Sequence, residues 1–193
     1  AFDRGGVTVD EHLRTTNRRV FAAGDICTPY RFTHAADAMA RIAIQNALFF
    51  GRKRTSSLVI PWSTFTSPEI AHVGMTAVDA AAHGDRVVTL RIALEDVDRA
   101  VLDGDIEGCA QAYVDARSGR LLGATIVAAR AGDLIGELSL AMTAGLRMDV
   151  LARTIHPYPT VGEVTKKLGD AWMRRKVTPR VRQLFTTILG WRR

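Results

Sequence analysis

The chain has 193 residues, 47% of them hydrophobic, which is material for one domain or one and a fraction. No apolar run approaches the roughly 20 residues needed to span a bilayer and no signal peptide opens the sequence, so it reads as a soluble chain, most simply in a reducing cytoplasm. Its two cysteines, Cys27 and Cys109, lie far apart without a partner spacing, which argues against a disulfide framework and a structural zinc site, and its net charge of +6 is unevenly spread.

Residues 6–15 alternate like an edge hairpin leading into the stretch 19–25. There Val20 and Phe21 run into two alanines, Gly24 and Asp25, the pattern of a buried strand ending at a polar site. Gly24 lets another group approach closely, and Asp25 puts a carboxylate at the strand's carboxyl end, where open α/β sheets bind ligands. Residues 29–32 read as a loop. Thr33 is a suitable N-cap for a helix to about Phe50, with Ala35, Ala36, Met39, Ala40, Ala43, Ile44, Ala47 and Leu48 as its apolar face. The polar, basic residues 51–57 mark a domain boundary. Their charge reads as a solvated linker rather than a nucleic-acid patch, because no aromatic residues are interleaved.

A new unit begins at Ile60. Residues 62–66 alternate as a strand, Ser67, Pro68 and Glu69 turn, and a helix is expected over 77–83. Residues 87–94, 109–114 and 121–127 read as antiparallel strands, with Ser118 and Gly119 turning between the last two. Helices over 133–144 and 148–153 follow, separated by Gly145. Strands followed by helices predict an α+β unit, an antiparallel sheet with helices, whose remaining apolar faces would meet a second subunit. Pro157 and Pro159 then stiffen an extended loop that ends at Glu163, the start of the next helix, and the Tyr158–Pro159 bond is a candidate cis peptide. From Val164 onward, nine basic residues face one acid, Asp170, so the rest of the chain is slightly acidic. Val164, Leu168, Ala171 and Trp172 form one helical stripe. Pro179 opens a second amphipathic helix with Val181, Leu184, Phe185, Ile188 and Leu189, and Trp191 near its end. Packing on its own or a partner subunit is the favoured reading of this tail, contact with an anionic membrane surface the alternative, and nucleic acid third.

Residues 7–10, 13–15 and 20–25 together resemble the second flavin-binding signature of the FAD-dependent pyridine nucleotide-disulfide oxidoreductases. The phrase from Pro61 to Thr76, with Phe65, Thr66, Pro68, Glu69, Ile70 and Ala71, is similar to the opening of that family's interface domain. The loop 154–163 is similar to its C-terminal active-site loop, usually H-x-H-P-T-x-x-E. The resemblance implies that Asp25, following Gly24, hydrogen-bonds the ribityl chain of FAD, and that the main-chain amides of Thr33, His34 and Ala35 point at the flavin's pyrimidine edge. It implies a catalytic loop shared with the partner of a homodimer formed through residues 58–170, in which Glu163 orients an acid-base group. Tyr158 stands where the family has its second histidine, a departure known from the mercuric reductase branch. A tyrosine titrates near pH 10 and a histidine near 6.5, so dithiol-disulfide exchange becomes a less natural reaction than reduction of a metal ion. His156 is the rival, if the loop turns its imidazole into that place.

No glycine-rich dinucleotide fingerprint and no closely spaced cysteine pair occurs in the sequence. By the resemblance, residues 1–52 are then the tail of an FAD-binding α/β domain, 58–170 the dimerisation domain and 171–193 a basic helical tail. The chain would be a C-terminal fragment, inactive and without FAD by itself. The complete protein would pass electrons from NAD(P)H through FAD and a cysteine pair to a metal ion or disulfide. The competing reading is a non-enzymatic dimerisation or membrane-surface tethering module.

Overall fold

A computed structural model describes residues 1–190. The chain forms two compact units, Ala1–Ile60 and a second that starts at Pro61. In the first, β1 (Phe2–Asp3) and β2 (Gly6–Val7) form a small antiparallel hairpin, and the long helix is α1 (Thr33–Leu48). The expected strand over 19–25 does not form. Phe21 bridges Arg14, and the backbone bonds run from Thr15 N to Val20 O (3.0 Å) and from Ala22 N to Leu13 O (3.1 Å). One short antiparallel contact pairs too few residues for a ladder, and Val20 is exposed rather than buried.

Helix α1 buries a different face from the one its apolar residues suggest. Ala35, Met39, Ile42 and Asn46 point inward, while Ile44 and Leu48 are exposed. Spacings of four, three and four keep these residues on one face, where Met39 and Ile42 pack with Leu13, and Phe21, Cys27 and Leu58 close over them. Asn46 is buried at low cost because its amide is satisfied. Its Nδ2 donates to His12 O (3.1 Å) and Lys53 O (2.9 Å), and its Oδ1 accepts from Lys53 N (3.0 Å). The polar residues 51–57 are thereby tied to this unit, as is Thr55, whose N–H donates to Glu11 O (2.9 Å).

The second unit is built on a five-stranded antiparallel sheet. Its strands are β3 (Trp62–Thr64), β4 (Glu69–Gly74), β5 (Val87–Ala93), β6 (Cys109–Asp115) and β7 (Leu121–Ala128), in the order β3-β4-β7-β6-β5. Alternation in β6 and β7 buries Ala110, Ala112 and Val114 with Ala124, Ile126 and Ala128. Between β4 and β5 lies α2 (Ala77–Ala82), started by a capping box in which Thr76 and Asp79 satisfy each other's backbone N–H. Between β5 and β6 lies α3 (Asp98–Asp103), which the sequence reading left unassigned.

The helices α4 (Ala131–Thr143), α5 (Met148–Arg153) and α6 (Glu163–Arg175) follow. Helix α4 lies on β3, β4 and β7, α6 on β5 and β6, and α5 on α6. This is the expected α+β architecture. Helix α6 runs through the 170/171 boundary expected for a separate tail, because Val164, Leu168 and Trp172 are buried on one stripe, each worth roughly 1.5–3 kcal/mol. Helix α7 (Pro179–Gly190) follows, with Phe185 and Ile188 exposed. The side chains of Leu184 and Leu189, and Trp191, lie outside the described residues. No helix among the described residues is long and apolar enough to cross a membrane.

Candidate functional site

The loop between α5 and α6 is held from inside by His156. Its imidazole is only 11% exposed, with Nε2 3.1 Å from both carboxylate oxygens of Glu137 and Nδ1 3.2 Å from Thr154 O. The Thr165 hydroxyl completes the group. It donates to Glu137 Oε2 at 2.6 Å and lies 3.0 Å from both His156 Nε2 and Gly162 O. One network therefore joins α4, the loop and the first turn of α6. Within this unit His156 is spent on that network and does not stand in the place of Tyr158.

Tyr158 faces the other way. Tyr158 is 70% exposed and stands with Pro159 at a bend. Thr160 Oγ1 donates to Pro157 O (2.8 Å), and the Tyr158–Pro159 bond is cis. Its hydroxyl donates to Asp98 Oδ2 at 2.6 Å. That carboxylate opens α3 and, by its hydrogen bond and its charge, holds the phenol above its ordinary range, with Glu163 pushing the same way more weakly.

Glu163 begins α6 and does not touch the Tyr158 hydroxyl. Its Oε1 is 3.6 Å from Lys167 Nζ, and its buried Oε2 has no hydrogen-bond partner among the described residues. The orienting contact expected of Glu163 is made by Asp98 instead. A phenol carries its oxygen at the far end of the ring, farther from the backbone than the nitrogens of an imidazole. Beside the loop is a cavity of about 480 Å³, lined by residues 159–162 together with Leu94, Arg99, Arg130 and Leu134.

In the first unit Gly24 and the opening of α1 come together. Gly24 is buried at φ +79°, and a Cβ there would sit 3.0 Å from the Ala36 methyl, so only glycine lets the chain lie against the first turn of the helix. Asp25, the next residue, is exposed and its carboxylate accepts no hydrogen bond among the described residues. Thr33 opens α1 without capping it: Phe32 is the N-cap, no side chain caps the end, and the first intrahelical bond runs from Ala36 N to Phe32 O (2.9 Å). The amides of Thr33, His34 and Ala35 precede that bond at the positive end of the helix. The His34 ring stacks on Phe32 at 5.4 Å. Cys27 donates its thiol to Gly24 O (3.4 Å), and burial pushes that thiol up. An unpaired carboxylate beside an uncapped helix end suits a ligand with hydroxyl donors and an electron-rich edge. No group of three or more metal-binding side chains occurs among the described residues.

Asp98, Glu137 and Thr165 escape the sequence reading because their partners are 60, 19 and 9 residues away. The available signal was a polar residue set inside an apolar helical stripe, as Glu137 is beside Leu134, Leu138 and Ala141, and Thr165 beside Val164 and Leu168.

Residues 60–168 match the family described as "Pyridine nucleotide-disulphide oxidoreductase, dimerisation domain". A mercuric reductase of Streptomyces lividans is 40% identical over 164 residues, which are 85% of this chain and 35% of the relative. A dihydrolipoyl dehydrogenase of Halobacterium salinarum is 34% identical over 169 residues, 87% of this chain and 35% of the relative. Among solved structures, the Cu(II) complex of the HOCl-induced flavoprotein disulfide reductase RclA from Escherichia coli has a TM-score of 0.79 at 28% identity, covering 88% of this chain and 39% of that one. The chain thus spans about a third of the length of the curated relatives it matches. With more than half of its residues matched and its fold close to that of a flavoprotein disulfide reductase, the chain belongs to the pyridine nucleotide-disulphide oxidoreductases, flavoprotein oxidoreductases whose dimerisation domain it carries.

Proposed function

We propose that this chain is the dimerisation part of a homodimeric enzyme that passes electrons from NAD(P)H through FAD and a cysteine pair to a metal ion of the mercuric kind, with a disulfide as the secondary acceptor class. The observation that carries the choice is Tyr158, exposed on the loop and hydrogen-bonded to Asp98. A phenol held above its ordinary range is a poor proton acceptor at neutral pH, so it does not replace the histidine that thiol-disulfide exchange needs. Its oxygen can still lie against a cation.

Asp25 would accept from ribityl hydroxyls, and the amides of Thr33, His34 and Ala35 would face the ring, Gly24 giving the close approach. FAD bound there supplies a two-electron carrier. The test uses the complete protein: NADPH oxidation with mercuric ion, lipoamide and glutathione disulfide as acceptors, for wild type and Y158F. Mercuric ion should be the fastest acceptor, and Y158F should lower that rate about tenfold or more while leaving dye reduction by NADPH intact. Equal or faster turnover of either disulfide would defeat the metal-ion reading.

The rival, a membrane-surface tethering module, is favoured by Phe185 and Ile188, exposed on the basic α7. Binding of the chain to phosphatidylglycerol vesicles, without flavin-dependent turnover in the complete protein, would select it.

A further inference from the structure

We propose that Asp98 is a positioning residue for Tyr158: its carboxylate accepts the one hydrogen bond the phenol can donate, so that the oxygen presents lone pairs to whatever approaches the loop. The inference rests on the reading of Tyr158 as an acceptor-facing residue and names what makes that residue selective. An O–H to carboxylate distance of 2.6 Å is in the range of charge-assisted bonds, and it links residues 60 apart in sequence on different elements. Tyr158 is exposed enough to be satisfied by water, so the protein has no solvation need for this bond.

Asp98 is available for it because the neighbouring cation of α3 is occupied elsewhere: Arg99 Nε pairs with Asp103 Oδ2 at 2.7 Å. A phenol has one donor and two acceptor lone pairs. With the donor directed at Asp98, only acceptors remain, beside a carboxylate.

The charges farther out are of both signs. Glu163 from α6 is the other carboxylate felt by Tyr158, and its own cation, Lys167, is 3.6 Å away. Arg99, Asp103 and Asp105 after β5, and Arg130 and Asp133 at the opening of α4, line the adjoining cavity. With Asp98 in direct contact, the phenol oxygen favours a cation or a proton donor such as a thiol over an anionic acceptor. That places the discrimination between a metal cation and a negatively charged disulfide on the Asp98–Tyr158 pair.

The test needs no turnover. In the 193-residue chain carrying ¹³Cζ-labelled tyrosine, the Tyr158 resonance is identified by its loss in Y158F and followed with pH, beside phenolate absorbance at 295 nm. In D98N the Tyr158 midpoint should fall, because the carboxylate that holds it up is gone, while D98E should stay near wild type. At neutral pH the Tyr158 ¹³Cζ shift should move in D98N and not in D98E, which keeps the test valid if alkaline unfolding precedes ionisation. Circular dichroism checks that each variant folds. A Tyr158 resonance and midpoint unchanged in D98N would overturn the proposal. A chain that passes while the complete protein prefers disulfides would instead sink the metal-ion function and leave the pairing intact.

Discussion

Thr165→Val tests whether the buried network fixes the loop between α5 and α6. Thr165 is fully buried, and valine keeps its shape while removing the hydroxyl, so no cavity is made. The loss is the 2.6 Å bond to Glu137 Oε2, with the 3.0 Å contacts to His156 Nε2 and Gly162 O. A hydrogen bond to a charged group is worth about 1.5–3 kcal/mol, but the Glu137 side chain is 32% exposed and can recruit water, so about 1–2 kcal/mol is the appropriate cost. For a unit of this size that corresponds to a fall of about 3–8 °C in the melting midpoint, read by circular dichroism or calorimetry. T165S, which keeps the hydroxyl, should lose much less. In a double-mutant cycle with E137Q, the two changes should couple by about 0.5 kcal/mol or more, since they break the same contact. A T165V midpoint within about 1 °C of wild type would refute the view that this hydroxyl secures the loop.

Gly119→Ala should destabilise the second unit by about 1–3 kcal/mol, because φ is +73° and a Cβ would lie 3.0–3.2 Å from the Trp172 indole; an unshifted urea midpoint would contradict this. On the acid side, the Thr76 hydroxyl bond holds the Asp79 carboxyl below its usual range, so the cap's contribution is present above about pH 4 and lost as pH falls through the lower folded value. D79N should therefore flatten the acid limb of a stability-against-pH curve, and a curve parallel to wild type would count against the capping box. In the complete protein, Asp25→Ala should lower the flavin retained after purification about tenfold or more in binding constant, measured as bound absorbance near 450 nm against dialysed free FAD; full occupancy would remove Asp25 from the cofactor site.

Much of the second unit could be read directly from local pattern. Strands β5, β6 and β7 run for seven or eight residues, and Ser118 and Gly119 turn between the last two, so their pairing partner hardly affects the assignment. The same reasoning misled at residues 19–25, where a short apolar run is equally compatible with a strand and with a single bridge, and only the neighbours decide. Helix α1 misled for another reason. Its many alanines place small side chains all round, so apolarity does not mark the buried face, whereas Asn46 is drawn inside by backbone groups of His12 and Lys53. Helix α3 is six residues long, too short for a period to show, although Gly104 after Ala100 and Val101 was a usable stop signal.

Within residues 154–163, His156 and Tyr158 were both open as the group the loop presents, and local sequence could not separate them. The separation comes from α4. Glu137 offers both carboxylate oxygens at 3.1 Å to one imidazole nitrogen, Thr165 adds its hydroxyl, and Thr154 O meets the other nitrogen, so a histidine can be buried there with its polar atoms engaged. A tyrosine in that place would have to fit a longer ring into space occupied by α6, whose Val164, Thr165 and Leu168 are fully buried. Burial of the histidine thus leaves the phenol outside, where its hydrogen-bond partner among the described residues is a carboxylate from α3. The chemistry offered on the exposed side of the loop follows from the polar contact that α4 makes with His156, and it is that of an oxygen acceptor beside a negative charge rather than of a neutral-pH base.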